Sequence, residues 1–200
     1  MRRLRRLSMA LAALAGLLLA TSSASAFERQ WRTGVSLGYA YFSNVGDENL
    51  HGLGGGLHLT YGLSDAWNAS ITADSSYHPS GDALIFGGAA GVSYIVDILQ
   101  VVPHVGLLLG PYDVWRVGGV CGVSNAPPPP PSSPPSSLPS PPPPPCHRFS
   151  FGASIPFGLD YTVSRSFAVG VGGRYQLLIA SDGVAQMITA FARAELTWGY

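Results

Sequence analysis

Three groups of residues in this chain are of types that do chemistry. His78, Ser80 and Asp82 lie close together, an arrangement in which an imidazole could activate a hydroxyl nucleophile. Pro79 and Gly81 interleave them and read as an ordinary turn, so no catalytic residue is expected here and the chain is not read as an enzyme. Cys121 and Cys146 are the second group, and in an exported chain they are expected to form a disulfide. The third is a scatter of charges, Arg32, Asp74, Asp160, Arg174, Arg193 and Glu195, accompanied by His58 and His104. The histidines stand at no ligand spacing with one another or with a cysteine, so neither a metal nor another cofactor is expected.

Export is read from the N-terminus. Arg2, Arg3, Arg5 and Arg6 precede an apolar run from Met9 to Ala20 and the small residues Ala24, Ser25 and Ala26, which is the order of a cleaved signal peptide over 1–26. Removing those four of eleven basic residues while eleven acids stay leaves a balance of 7 − 11 = −4, which offers nucleic acid nothing to bind. Charged residues are only 11% of the chain, against ~25% in soluble domains. Yet residues 27–200 contain no apolar run long enough for a membrane helix. Few charges, export and no long apolar run are reconciled by a membrane β-barrel, whose strands need only alternate.

Eight segments do alternate. The first sets Trp31, Val35, Leu37, Tyr39 and Tyr41 on one face against Arg32, Gly34, Ser36 and Gly38 on the other. The last sets Ile188, Ala190, Ala192, Ala194, Leu196, Trp198 and Tyr200 against Thr189, Arg193, Glu195 and Thr197. Short turns near Ser64, Ile98 and Ser164 alternate with longer loops after Phe42, Tyr77, Tyr112 and Leu178, these running from about seven to more than thirty residues. Aromatics collect at strand ends: Trp31, Tyr61, Trp67, Tyr94, Tyr161, Phe167 and Trp198 beside the short turns, Tyr41, Tyr77, Phe86, Tyr112, Phe149 and Tyr175 at the other end. Two interfacial girdles are expected from this sorting. The fold expected is all-β, a closed antiparallel eight-stranded up-and-down transmembrane barrel, rather than a lipocalin-like one with its apolar face inward.

These residues resemble the small eight-stranded outer-membrane barrels, the group of the OmpA transmembrane domain, OmpX and the opacity-type proteins. Tyr61, Leu63, Ser64 and Trp67 recur in kind as Tyr161, Val163, Ser164 and Phe167, similar to the periplasmic hairpins of that group. Leu196, Trp198 and Tyr200 look like the terminal signal read by the outer-membrane assembly machinery. The resemblance implies a cell outer-membrane location with both termini periplasmic, in contact with outer-membrane lipid and lipopolysaccharide. His78 and Ser80 also resemble part of the motif of outer-membrane lipid A deacylases, but Gly81 stands where that motif has a polar residue.

Between the cysteines a Pro/Ser tract runs from Pro127 to Pro145, and proline cannot serve a sheet ladder. It is read as an external loop at about 116–148, extended and hydrated, where an extracellular ligand would bind. Inside the barrel the first and last strands must pair, which brings Arg32 near Glu195. An ion pair joined by Arg193 and Asp160 is expected there, plugging the lumen. The function expected is structural and interfacial, envelope integrity and display of external loops, with a narrow porin-like channel for small or apolar solutes as the alternative.

Overall fold

The computed structural model describes residues 29–44, 49–96, 100–116, 146–181 and 183–199. Eight strands follow in order: β1 (Trp31–Asn44), β2 (Asn49–Gly62), β3 (Trp67–His78), β4 (Ala83–Ile95), β5 (Val101–Arg116), β6 (Cys146–Ser164), β7 (Phe167–Ala180) and β8 (Gly183–Trp198). Each pairs antiparallel with the next, and β8 returns to β1 from Trp31↔Trp198 to Asn44↔Ala185. The sheet therefore closes on itself, and no strand is left at an edge.

The alternation decides which face turns out. Leu37 is 71% exposed, Leu53 70% and Val171 62%, while Arg32, Asp160 and Glu195 on the opposite face are buried. A water-soluble barrel would reverse this arrangement. Trp31 packs against Tyr61 with the rings tilted and their centroids 4.7 Å apart, and Trp67 meets Tyr94 edge-on at 5.2 Å, forming part of a girdle on the outer surface. That girdle marks the turn end of the barrel, where 63–66, 96–100 and 165–166 connect the strands. Serine hydroxyls help to tighten two of these turns: Ser64 Oγ accepts from the Trp67 amide at 3.2 Å, and Ser164 Oγ from the Ser166 amide at 3.4 Å.

Three expectations are corrected at the opposite, loop end. The connections after β1, β3 and β7 are not long: they shrink to 45–48, 79–82 and 181–182. The apolar alternation stops before the hydrogen-bonded ladder does, because backbone pairing needs no apolar side chain and continues through pairs such as Ser43↔Asn49 and Ala180↔Gly183. Likewise residues 116 and 146–148, expected in the long loop, belong to strands, since Arg116 pairs with Cys146 and Val114 with Arg148. Tyr112 does not belong to the outer girdle. It lies one residue out of step with Val105, Leu107 and Leu109, so the strand's two-residue period turns it inward, where it is 2% exposed.

The signal peptide, the Pro/Ser tract, Cys121, the Cys146 side chain and Tyr200 lie outside the described residues.

Candidate functional site

The inward face is where the remaining chemistry collects, and it is layered along the barrel axis. At the loop end Phe42, Leu50, Ile85, Tyr112, Leu178 and Met187 form a buried apolar cluster. Below it Arg174 of β7 reaches across to Asp74 of β3, and its guanidinium carbon sits 5.9 Å from the centre of the Phe191 ring. Thr72 adds a hydroxyl donor to the same Asp74 carboxylate at 3.1 Å. Gln176 Nε2 donates to the Tyr112 hydroxyl at 3.0 Å, tying this layer to the apolar one.

Towards the turn end Arg193 is the hub of a larger network. Its Nε donates to Asp160 Oδ1 at 2.6 Å, and its Nη2 reaches both Asp160 Oδ2 and Glu195 Oε1, the latter at 3.1 Å. His58 Nε2 stands 2.6 Å from Glu195 Oε1, and His104 Nδ1 stands 3.2 Å from Asp160 Oδ2. The chain from His58 through Glu195, Arg193 and Asp160 to His104 thus spans the lumen from β2 to β5. Asp160 is 3% exposed and Glu195 4%, so these carboxylates depend on their partners to remain charged.

The scattered charges of the sequence are therefore brought into two groups, Asp74 with Arg174, and Asp160 with Arg193 and Glu195. His58 and His104 complete the second. Arg32 lines the same vestibule as Glu195, of about 380 Å³ at the turn end, and Glu195 there meets His58 and Arg193.

The glycines of this face have a spatial role. A methyl carbon built on Gly34 would stand 2.5 Å from His58 Cε1, and one on Gly158 2.6 Å from His104 Cε1. Asp74 lies over Gly56, Asp160 over Gly170, Phe191 over Gly172, and the Tyr112 ring over Gly87 and Gly152. Large side chains recline across the sheet onto glycines of neighbouring strands, and this lets a narrow barrel hold them.

The apolar cluster is absent from the sequence reading, although a signal for it exists. Continuing the two-residue period past Ala40 to Phe42, and back from Gly87 to Ile85, would have placed those side chains inside.

His78, Ser80 and Asp82 do not assemble. His78 is fully buried with Nε2 3.0 Å from Ser76 Oγ, Ser80 is exposed in a 3-10 turn at Pro79–Gly81, and Asp82 accepts from the Tyr77 hydroxyl at 3.1 Å.

No protein-family model and no curated protein matches the sequence. Several solved structures match the fold. Neisserial surface protein A superposes with a TM-score of 0.64 at 14% identity, over 83% of this chain and 96% of that one. Ail, the attachment invasion locus protein of Yersinia pestis, gives 0.50 at 11% identity, over 86% and 99%. The N-terminal β-barrel domain of Pseudomonas aeruginosa OprF gives 0.50 at 12% identity, over 86% and 98%. At such identities the likeness is one of architecture, and the architecture is that of the closed eight-stranded outer-membrane barrel.

Proposed function

We propose that this chain is an outer-membrane protein with a blocked lumen, which spans the membrane with both termini in the periplasm and holds the 117–145 loop outside the cell. The observation that carries this reading is the pairing of an apolar outer face with an inner face filled by ion pairs and an apolar cluster. The stretch from Trp31 to Tyr41 climbs about 25 Å at ~3.3 Å per residue and a tilt of ~40°, matching the apolar band of outer-membrane barrels. Outer-membrane lipid and lipopolysaccharide are then its surroundings. Leu196 and Trp198, alternating outwards and continued by Tyr200, are what the assembly machinery would read.

The role that follows is structural and surface-directed, with residues 1–26 removed on export and a Cys121–Cys146 bond holding the feet of the loop. The Yersinia barrel of similar fold is an attachment and invasion locus protein, which supports a surface role for a barrel of this size. The loop would meet an extracellular ligand. A hydrolytic role is disfavoured because His78 faces the lumen and Ser76 while Ser80 faces outward.

Membrane fractionation followed by gel mobility with and without heating tests location and barrel fold together. A heat-modifiable band in the outer-membrane fraction is expected, and a chain soluble without detergent refutes the reading. Planar-bilayer recording tests the blocked lumen: silence is expected, and a steady reproducible conductance would favour the channel alternative.

A further inference from the structure

A charge held against hydrocarbon is costly, so the lipid-facing side of a barrel carries few. Traced from pair to pair around the sheet, the outward strand residues include a single Asp, Glu, Arg or Lys among the described residues, Asp113 of β5. It stands just past the apolar band. The outward residues from Val101 to Pro111 are all apolar, and that stretch climbs about 25 Å at ~3.3 Å per residue and a tilt of ~40°. Asp113 is the next outward residue, at the height where hydrocarbon gives way to headgroups.

Its neighbours are rings. Phe86 of β4 and Phe149 of β6 lie directly opposite it on the two adjoining strands, a relation that sets Cβ atoms ~4.5–5.5 Å apart. Trp115 follows it on the outer face of β5, and the indole stacks on His147 at 5.4 Å with 16° between the ring planes. His147 Nδ1 stands 3.2 Å from Asp113 Oδ2. Phe149 is 69% exposed, Phe86 44%, and the Asp113 side chain 22%. Asp113 Oδ1 is covered and meets no hydrogen-bond donor among the described residues. Arg116 and Arg148 alternate to the opposite face with Val114, so neither arginine shares the outer face with this carboxylate.

A carboxylate framed by aromatic rings selects among ligands. It repels anions. A divalent metal ion takes six or more oxygen ligands, which one carboxylate amid rings does not supply. An organic ammonium needs no lone pairs: ring faces hold it, and the field of the carboxylate draws it without its having to reach the covered Oδ1.

We propose that Asp113, Phe86, Phe149 and Trp115 form a binding site for the organic ammonium headgroup of a membrane amphiphile. The height of the site selects an amphiphile over a dissolved cation, because a headgroup held beside Asp113 lets its chain run down the apolar outer face past Phe151 and Leu109. The assignment rests on the reading of the outer face as wetted by lipid.

Solution NMR of the full chain in uncharged maltoside micelles, titrated with dodecyltrimethylammonium, tests this. Trp31, Trp67, Trp115 and Trp198 all face outward and only Trp115 adjoins Asp113, so the other three indole N–H signals are internal controls. A saturable shift is expected at Trp115, with small unsaturating shifts at the controls. In Asp113→Asn the Trp115 response is expected to fall to that of the controls. In Phe149→Ala half-saturation is expected at a ~2–5-fold higher concentration, the loss of one exposed cation–π contact. Equal responses at all four tryptophans, or a saturable Trp115 response that survives Asp113→Asn, overturn the site. Tetramethylammonium, which has no chain, is expected to be much less potent, and equal potency overturns the assignment to an amphiphile. Contacts from detergent chain protons to Trp31, Trp67 and Trp198 are read in the same spectra, so an outer face that is not in the apolar phase is told apart from a site that binds nothing.

Discussion

Replacing Arg193 with methionine keeps the length and apolar stem of the side chain but removes a cation that Asp160 and Glu195 share. Both carboxylates are at least 96% buried, so neither can fall back on bulk water. Breaking a buried ion pair by deleting one partner typically costs ~3–5 kcal/mol. Here two acids lose a shared partner, while His58 and His104 remain beside them and soften the loss, so the expected destabilisation is ~3–5 kcal/mol rather than double that. Urea unfolding in lipid vesicles, followed by tryptophan emission, measures it. Trp31, Trp67, Trp115 and Trp198 all lie on the outer face, so the signal reports passage of the barrel surface out of lipid. Adding Asp160→Asn in the Arg193→Met background removes one stranded charge, and the cycle should show a coupling of ~2 kcal/mol between the two positions. A loss under ~1 kcal/mol with coupling near zero would mean that water screens these charges, and the blocked lumen would have to be abandoned.

Leu37→Arg, at the middle of β1 on the outer face, is expected to lower vesicle-inserted stability by ~2–4 kcal/mol, and an unchanged urea midpoint would deny lipid contact at that position. Gly158→Ala pushes a methyl to 2.6 Å from His104 Cε1 and 2.7 Å from the Val171 carbonyl, so a loss of ~1–3 kcal/mol from overpacking is expected in the same assay. Tyr112→Ala empties the ring's place over Gly87 and Gly152 and removes the hydroxyl that Gln176 uses; a loss of ~3–5 kcal/mol is expected, and the heated and unheated gel bands show whether the variant still closes.

The fold was legible because lipid imposes a rule that a sequence displays openly. Every outward residue must be apolar or small, so Val35, Leu37 and Tyr39 alternate with Gly34, Ser36 and Gly38, and the strand faces can be read directly. Strand ends were read less well because the rule stops at the membrane boundary, whereas the ladder at Ser43↔Asn49 needs only backbone. The charge groups were legible as inward residues but not as partners. Arg193 meets Asp160 across β7, one strand beyond its own neighbour, and nothing in the one-dimensional pattern specifies which charge reaches over which glycine. The apolar cluster escaped because Phe42 and Tyr112 are aromatic residues near strand ends, where composition points to a girdle and only parity points inward.

The side chains that lean across onto neighbouring glycines also bear on how the strands find their alignment. Sliding β6 along β7 by two positions would keep every greasy residue facing lipid and every small one facing inward, so the bilayer could not tell the mistake from the correct pairing. The lumen could. Asp160 would lose the hollow above Gly170 and meet either the methyl of Ala168 or the hollow above Gly172 that Phe191 already fills. Proofreading of strand alignment is thus entrusted to the interior, and the surface that decides where the protein resides has little say in how its strands are matched.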